Sequence, residues 1–238
     1  AAYARLRALL ARPLSVAGEP RLASFQAGHV AGISRAPVSP ARATSGPAAV
    51  DLRNVTFRYP DSERPALHAL DLRIPAGSLV AVTGPVGAGK SALARAILGI
   101  HPIESGAILI DSRPLTELTN EERRGLIGYL PQDTLLFSGS VRENLTLNRR
   151  GGPRDDRFVM DAVRLAALEE DISGFPRGLD TEIGELGLRI SGGQRQRVGL
   201  ARALAAAAPG CPGLLVLDDP FSAVDVTTEA RIVASLKQ

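Results

Sequence analysis

Alternating apolar and polar positions over 50–59 and again over 67–74 predict two β-strands, and the Pro75-Ala76-Gly77 turn leads into a third apolar run, Ser78–Thr83. Leu93–Leu98 continues as a helix, and Ala107–Ile110 is another short apolar strand. Two capping boxes mark helix starts, Thr119 with Glu122 and Ser140 with Glu143. Phe158–Leu168 carries an amphipathic helical pattern, 194–208 is strongly helix-forming, and Leu214–Leu217 is an apolar strand that stops at Asp218 and Asp219. A last helix begins around Asp225 or Thr227. Helices alternating with apolar strands predict a mainly parallel α/β sheet, with the helix-rich stretch from about 140 to 208, where no strand is evident, as a separate subdomain.

The pattern is different at the start of the chain. Tyr3, Leu6, Leu9 and Leu10 stand at helical spacing and predict a short amphipathic helix over 1–11. From Pro13 to Pro47 the residues are mostly Pro, Gly, Ala and Ser without periodicity, the signature of a linker, so order is expected from about Val50.

Composition narrows the class. The 238 residues leave room for one good-sized domain and an appendage, and 45% hydrophobic with 22% charged residues predicts a buried core rather than disorder. Trp is absent and aromatics make up 4%, so that core is built from Ala, Val, Leu and Ile. The single cysteine, Cys211, excludes an intrachain disulfide and reads as a small apolar filler near a strand; with no His/Cys cluster, a reducing compartment is expected. No apolar run reaches the roughly 18–20 residues of a membrane span, and there is no signal-peptide core, so this stretch of chain is expected to be soluble.

Net charge is +3, unevenly placed: six arginines against Glu19 give the first fifty residues +5, leaving −2 for the remainder. Such a leader suits an anionic membrane surface or nucleic acid, and equally a solvated linker.

Candidate chemistry begins where Ser78–Thr83 runs into Gly84-Pro85-Val86-Gly87-Ala88-Gly89-Lys90-Ser91 and then a helix. This is G-x-x-x-x-G-K-S in a strand–loop–helix setting, a P-loop. Its glycines let backbone N–H groups turn inward around phosphate oxygens, and the helix N-terminus adds its positive dipole end. Lys90 supplies a compact charge to the β and γ phosphates, and the Ser91 hydroxyl is a ligand for Mg²⁺. Lys90 and Lys237 are the only lysines among 28 basic residues; lysine fits this loop because a planar guanidinium would not replace a point charge there. The strand Leu214–Leu217 ending at Asp218 supplies the carboxylate expected beside Mg²⁺ in a P-loop NTPase.

Ser191-Gly192-Gly193-Gln194, inside Ile190-Ser-Gly-Gly-Gln-Arg-Gln-Arg197, resembles the signature motif of ATP-binding cassette (ABC) ATPases in kind, order and spacing. Physically, a serine before two glycines at a helix start makes a second anion site. The resemblance implies that this turn faces the γ-phosphate held by a partner domain. Tyr59, 25 residues before Gly84, resembles the aromatic that stacks on adenine; alone it would be ordinary strand packing. Gln132, in Tyr129-Leu-Pro-Gln-Asp133, resembles the glutamine that reaches Mg²⁺ and the attacking water; alone it would be a polar turn residue. Ser222-Ala-Val-Asp225 resembles the loop that crosses to the partner.

The resemblance spans residues 50–238 and implies a P-loop NTPase (RecA-like) α/β core with an antiparallel β subdomain and an inserted α-helical subdomain. Thr181-Glu-Ile-Gly-Glu185, similar to the segment that touches the coupling helices of membrane domains, and Phe137–Asn144 make it exporter-like. Residues 1–49 then stand as the short helix and basic linker leaving a membrane domain, with their arginines on the cytoplasmic side. Residues 50–238 stand as the nucleotide-binding domain, incomplete at its C-terminus. The implied ligands are ATP and Mg²⁺. The implied partners are a second nucleotide-binding domain in a head-to-tail dimer and an exporter's transmembrane domain, at the cytoplasmic face of the membrane, with no nucleic acid.

Two departures stand out. The family's general base after the magnesium carboxylate is Glu, whereas this chain has Asp219, shorter by one methylene, which puts its carboxylate over 1 Å too far from the water, at a cost of about a hundredfold. His29, His68 and His101 all precede the signature, so no switch histidine follows Asp225. Together they imply a degenerate site at this chain's own P-loop, with an intact Ser191–Gln194 turn offered to the partner. A non-hydrolytic nucleotide-gated interaction module and a soluble ABC ATPase are the alternatives.

Overall fold

A computed structural model of the chain describes residues 46–147, 156–184, 188–206 and 213–236. All of them fall in the unit running from Thr44 to Gln238. The expected helix over 1–11, the linker as far as residue 45, Glu185 and Cys211 lie outside the described residues.

β1 (Val50–Phe57) is an inner strand of a four-stranded antiparallel sheet, paired with β2 (Leu67–Ile74) on one side and β3 (Ser105–Ile110) on the other. β4 (Arg113–Pro114) follows outside β3. Val50, Leu52, Val55 and Phe57 are all fully buried, although they do not keep one period-two phase. The phase changes at Asn54, whose positive φ of 50° lies within the register irregularities of β1 against both neighbours. An extra residue in a strand returns the following side chains to the core face. α1 (Lys90–Leu98) packs Ala92, Leu93, Ala96 and Ile97 into the cluster formed by those β1 residues with Ile108 and Ile110. Gly99, at φ 64°, ends the helix in the left-handed conformation that terminating residues favour.

α2 (Asn120–Leu126) opens on the Thr119/Glu122 capping box and leads into β5 (Ile127–Leu130). β5 runs parallel to β8 (Leu214–Leu217) in the register Ile127↔Leu214 to Leu130↔Leu217. Between them in sequence come β6 (Gly139–Ser140), α3 (Val141–Thr146), α4 (Asp156–Leu165), α5 (Glu169–Gly174), β7 (Glu182–Ile183) and α6 (Gly192–Leu204). The Ser140/Glu143 capping box starts α3 as the pattern predicts. A second core of Leu130, Val141, Leu145, Val163, Leu168, Ile183, Val198 and Leu200 holds these elements together. α7 (Val226–Ser235) closes the described fold, with Ile232 in the same core. The architecture is that of a P-loop NTPase, a mixed α/β fold with an antiparallel β part and an inserted helical part.

The structure corrects three sequence expectations. Ser78–Thr83 forms no paired strand: among the described residues nothing completes a ladder with it, and Leu79, Val80 and Val82 are 59%, 45% and 49% exposed. Apolar residues make a segment fit for a sheet, but a ladder also needs a neighbouring backbone. For the same reason the described strands are not mainly parallel; β5 and β8 form a separate two-stranded parallel sheet, and the hairpin β1–β2 sets up an antiparallel one. The helix-rich stretch does contain a strand, β7, which pairs with β6 over two residues. Strands this short carry no readable period.

Candidate functional site

The loop Gly84–Ser91 lies between the extended run after β2 and α1. Gly89 occupies the N-cap of α1 at φ 85°, and a Cβ there would meet the Ala66 carbonyl oxygen at 2.6 Å, so only glycine fits. Gly87, at φ 83°, is the other left-handed turn of the loop, and the Ala88 amide donates to the Pro85 carbonyl at 3.2 Å. Val86, at its tip, is fully exposed.

Lys90 curls back over this loop. Its Nζ donates to the Gly84 carbonyl at 2.9 Å and the Pro85 carbonyl at 2.8 Å. One residue on, Ser91 Oγ donates to Asp218 Oδ1 at 3.2 Å across 127 positions of sequence. Asp218 is placed by the end of β8, where its amide donates to the Leu130 carbonyl at 2.9 Å. A hydroxyl and a carboxylate at that separation are hard oxygen ligands of the kind Mg²⁺ takes alongside phosphate oxygens, so the residues present fit that ion. Gln132 is exposed two positions beyond β5, and thus leaves the same end of the parallel pair as Asp218.

Tyr59 stands beside α1. Its ring meets Phe57 edge-on at 5.0 Å and His101 at 6.2 Å, and the Arg95 guanidinium lies 5.4 Å from its centroid. Tyr59 and His101 line an open cavity of about 360 Å³ with Arg58, Pro60, Pro102 and Glu104. Arg58 Nε donates to Glu104 at 2.9 Å, and that bond holds the Glu104 carboxyl below its ordinary range. His101 is a member of this group that sequence reasoning passed over, because its neighbour lies 42 positions away and no local motif joins them.

Ser191 caps α6: its Oγ accepts from the Gln194 amide at 3.1 Å, and the Gln194 side chain accepts from the Ser191 amide at 2.8 Å. The same Gln194 donates through Nε2 to Asp171 on α5 at 2.8 Å, and Asp171 pairs with Arg197 at 2.9 Å. Ser191 and Gly192 are exposed and Gly193 half-buried, so the helix presents an ordered N-terminal turn to the outside. Gly193 lies against Ala223, where a Cβ would come within 2.8 Å of the carbonyl oxygen.

Asp219 follows Asp218 in the left-handed conformation, φ 53°. Asp225 caps α7, its Oδ1 accepting from the Thr227 and Thr228 amides at 3.0 Å each; those bonds, with Thr228's foremost, hold its carboxyl below the ordinary range. The cap agrees with the helix start expected around Asp225 or Thr227. Lys90, Ser91 and Asp218 are thus brought together, Tyr59 flanks the helix that carries Lys90 and Ser91, and Ser191–Gln194 forms a separate turn at the head of α6.

Residues 67–222 match the family described as ABC transporter. The chain is 38% identical over 187 residues to the uncharacterized ABC transporter ATP-binding protein YfiB of Bacillus subtilis, covering 79% of this chain and 32% of that protein. It is also 38% identical over 205 residues to the ATM1-type heavy metal exporter of Novosphingobium aromaticivorans, covering 86% of this chain and 32% of that one. The structure of a bacterial Atm1-family ABC exporter with ATP bound superposes with a TM-score of 0.72 at 38% identity, over 86% of this chain and 35% of the other. The chain thus spans about a third of the length of the curated relatives it matches. With a P-loop, a strand-end carboxylate and an ordered Ser-Gly-Gly turn all in place, the chain belongs to the ABC transporter family, among its exporter-type ATP-binding domains.

Proposed function

We propose that the chain binds MgATP at Gly84–Ser91 and serves as the ATP-binding domain that powers an ABC exporter from the cytoplasmic face of a membrane. The observation that carries this reading is the meeting of the Lys90 ammonium, the Ser91 hydroxyl and the Asp218 carboxylate at one loop whose glycines leave its backbone open.

In this reading the Lys90 ammonium exchanges the Gly84 and Pro85 carbonyls for β- and γ-phosphate oxygens, while the amides of Val86, Gly87, Ala88 and Gly89 surround the phosphate chain. Tyr59 offers its ring to adenine. Magnesium, when bound through Ser91, Asp218 and Gln132, neutralises charge on the phosphates. Hydrolysis needs water to attack the γ phosphorus as the bond to the β,γ-bridging oxygen breaks and ADP departs; Gln132 orients the water, and Asp219 takes its proton. The exposed Ser191–Gln194 turn closes over ATP held by a second nucleotide-binding domain in a head-to-tail pair. Asp225 leads the segment that crosses to that partner. Residues 1–49 join a transmembrane domain to residues 50–238, whose helical part, about 140–208, receives the membrane domain's coupling helices along Thr181–Glu185.

Asp219 in place of glutamate favours a division of labour in which this chain's own site turns over slowly while its signature turn completes an active partner site. The same residue favours a second reading, a nucleotide-gated interaction module that binds ATP without turnover.

Calorimetric titration of MgATP into the chain and into its Lys90→Ala variant tests the proposal. Two charge-assisted hydrogen bonds at about 1.5 kcal/mol each make the expected loss of affinity about a hundredfold. Equal affinities for the two proteins, or no magnesium-dependent binding by the unaltered chain, would overturn it.

A further inference from the structure

Gln196 is 4% exposed, on the first turns of α6, and its amide is fully occupied by one short segment. Nε2 donates to the Asp219 carbonyl at 2.7 Å and lies 3.1 Å from Ser222 Oγ, and Oε1 accepts from the Ala223 amide at 2.9 Å. The Asp219 peptide held in this way is in the left-handed region, which a non-glycine residue keeps only when its surroundings hold it. A second contact binds the same segment to the same helix. Gly193 has its missing Cβ position 2.8 Å from the Ala223 carbonyl oxygen, and that of Gly192 is 3.6 Å from Ala223 Cβ. Gly193 and Gln196 are three residues apart and therefore share a helix face.

The rest of α6 is anchored further along the helix. Gly199 lies so close to Thr134 that a Cβ would meet Cγ2 at 2.6 Å. Arg202 donates to the Leu135 and Asn144 carbonyls at 2.8 Å each, and burial holds its guanidinium below its ordinary range. The helix is therefore braced against the segment after Gln132, and its first turns hold residues 219–223 on one face while Gln194 and Arg197 tie them to Asp171 of α5 on another.

We propose that Gln196 is a positioning residue that makes the Ser191–Gln194 turn and the Asp219 backbone one mechanical unit. A movement of the turn as a neighbouring domain engages it is delivered through Gln196 to the backbone of Asp219, so each half-site reports on the other. This inference rests on the proposed ATPase reading of the site.

The test uses the full chain with three forms of residue 196: glutamine, Gln196→Met, which keeps the length without the amide, and Gln196→Glu. A protonated glutamic acid restores both an O–H donor to Asp219 and an acceptor for Ala223, whereas the carboxylate offers no donor. Single-turnover hydrolysis of γ-labelled ATP is expected to fall about ten- to a hundredfold in Gln196→Met, the scale of a displacement of about 1 Å at a reacting centre. MgATP affinity should stay close to that of the unaltered chain, and the melting temperature should fall by no more than several degrees, as lost buried hydrogen bonds dictate. The Gln196→Glu rate, divided by that of the unaltered chain, should rise several-fold as pH falls from 8 to 6, while the Gln196→Met ratio stays flat.

Amide hydrogen exchange should quicken together over 191–195 and 219–224 in Gln196→Met, a readout that requires no turnover. Unchanged hydrolysis, or exchange that quickens in one segment alone, would overturn the inference. Absence of MgATP binding by the unaltered chain would instead remove the ATPase reading, and exchange would still decide whether Gln196 couples the two segments.

Discussion

Asp219 is held by its backbone, not by its carboxylate. With its carbonyl fixed by Gln196 and its φ at 53°, the side chain cannot recover the length of one methylene by a shift of the main chain without breaking that bond. Asp219→Glu is therefore expected to raise hydrolysis at this chain's own site by about a hundredfold, measured by single-turnover cleavage of labelled ATP. An unchanged rate would mean that carboxylate reach does not limit turnover. The residues of the proposed phosphate site were legible in the sequence because an anion cradle fixes residue types at fixed spacings. Gln196, Arg202 and His101 were not, since their partners lie 23 to 67 positions away and no local pattern announces such pairings.

Among the elements, α7 shows how a cap carries a pH dependence. Asp225 accepts two backbone amides, and its carboxyl is held below its ordinary range in the folded chain. A carboxyl depressed on folding stabilises the fold above its unfolded pKa of about 3.9, and that contribution is lost as pH falls through the folded value. Asparagine caps a helix about as well but does not titrate. The melting temperature of the chain should therefore fall toward that of Asp225→Asn, or below it, as pH drops from 5 to 2; a constant difference across that window would refute the assignment. The helix starts at Thr119, Ser140 and Asp225 were all readable, because a cap is a local arrangement of three or four residues. Pairing of Ser78–Thr83 was not decided locally: an apolar run states what a segment tolerates, and only a neighbouring backbone makes it a strand.

At the scale of the molecule, two cores divide the work. One backs α1 against the antiparallel sheet, and the other gathers α3 to α7 around β5. Leu214 and Val216 of β8 pack toward the first, and Leu215 and Leu217 toward the second, so the strand that delivers Asp218 is the partition between them. Alternation of side chains along a strand lets four consecutive apolar residues serve both sides. This much was foreshadowed by the wholly apolar run Leu214–Leu217, which suits a strand covered on two faces.

Leu79, Val80 and Val82, exposed among the described residues, have a cost in handling. Greasy, unladdered backbone is adhesive, and at millimolar concentration the 238-residue chain should stick to itself along this margin. Val80→Lys, a charge placed in the middle of the row, is expected to move the onset of light scattering to several-fold higher concentration. An onset that did not move would locate the adhesion elsewhere.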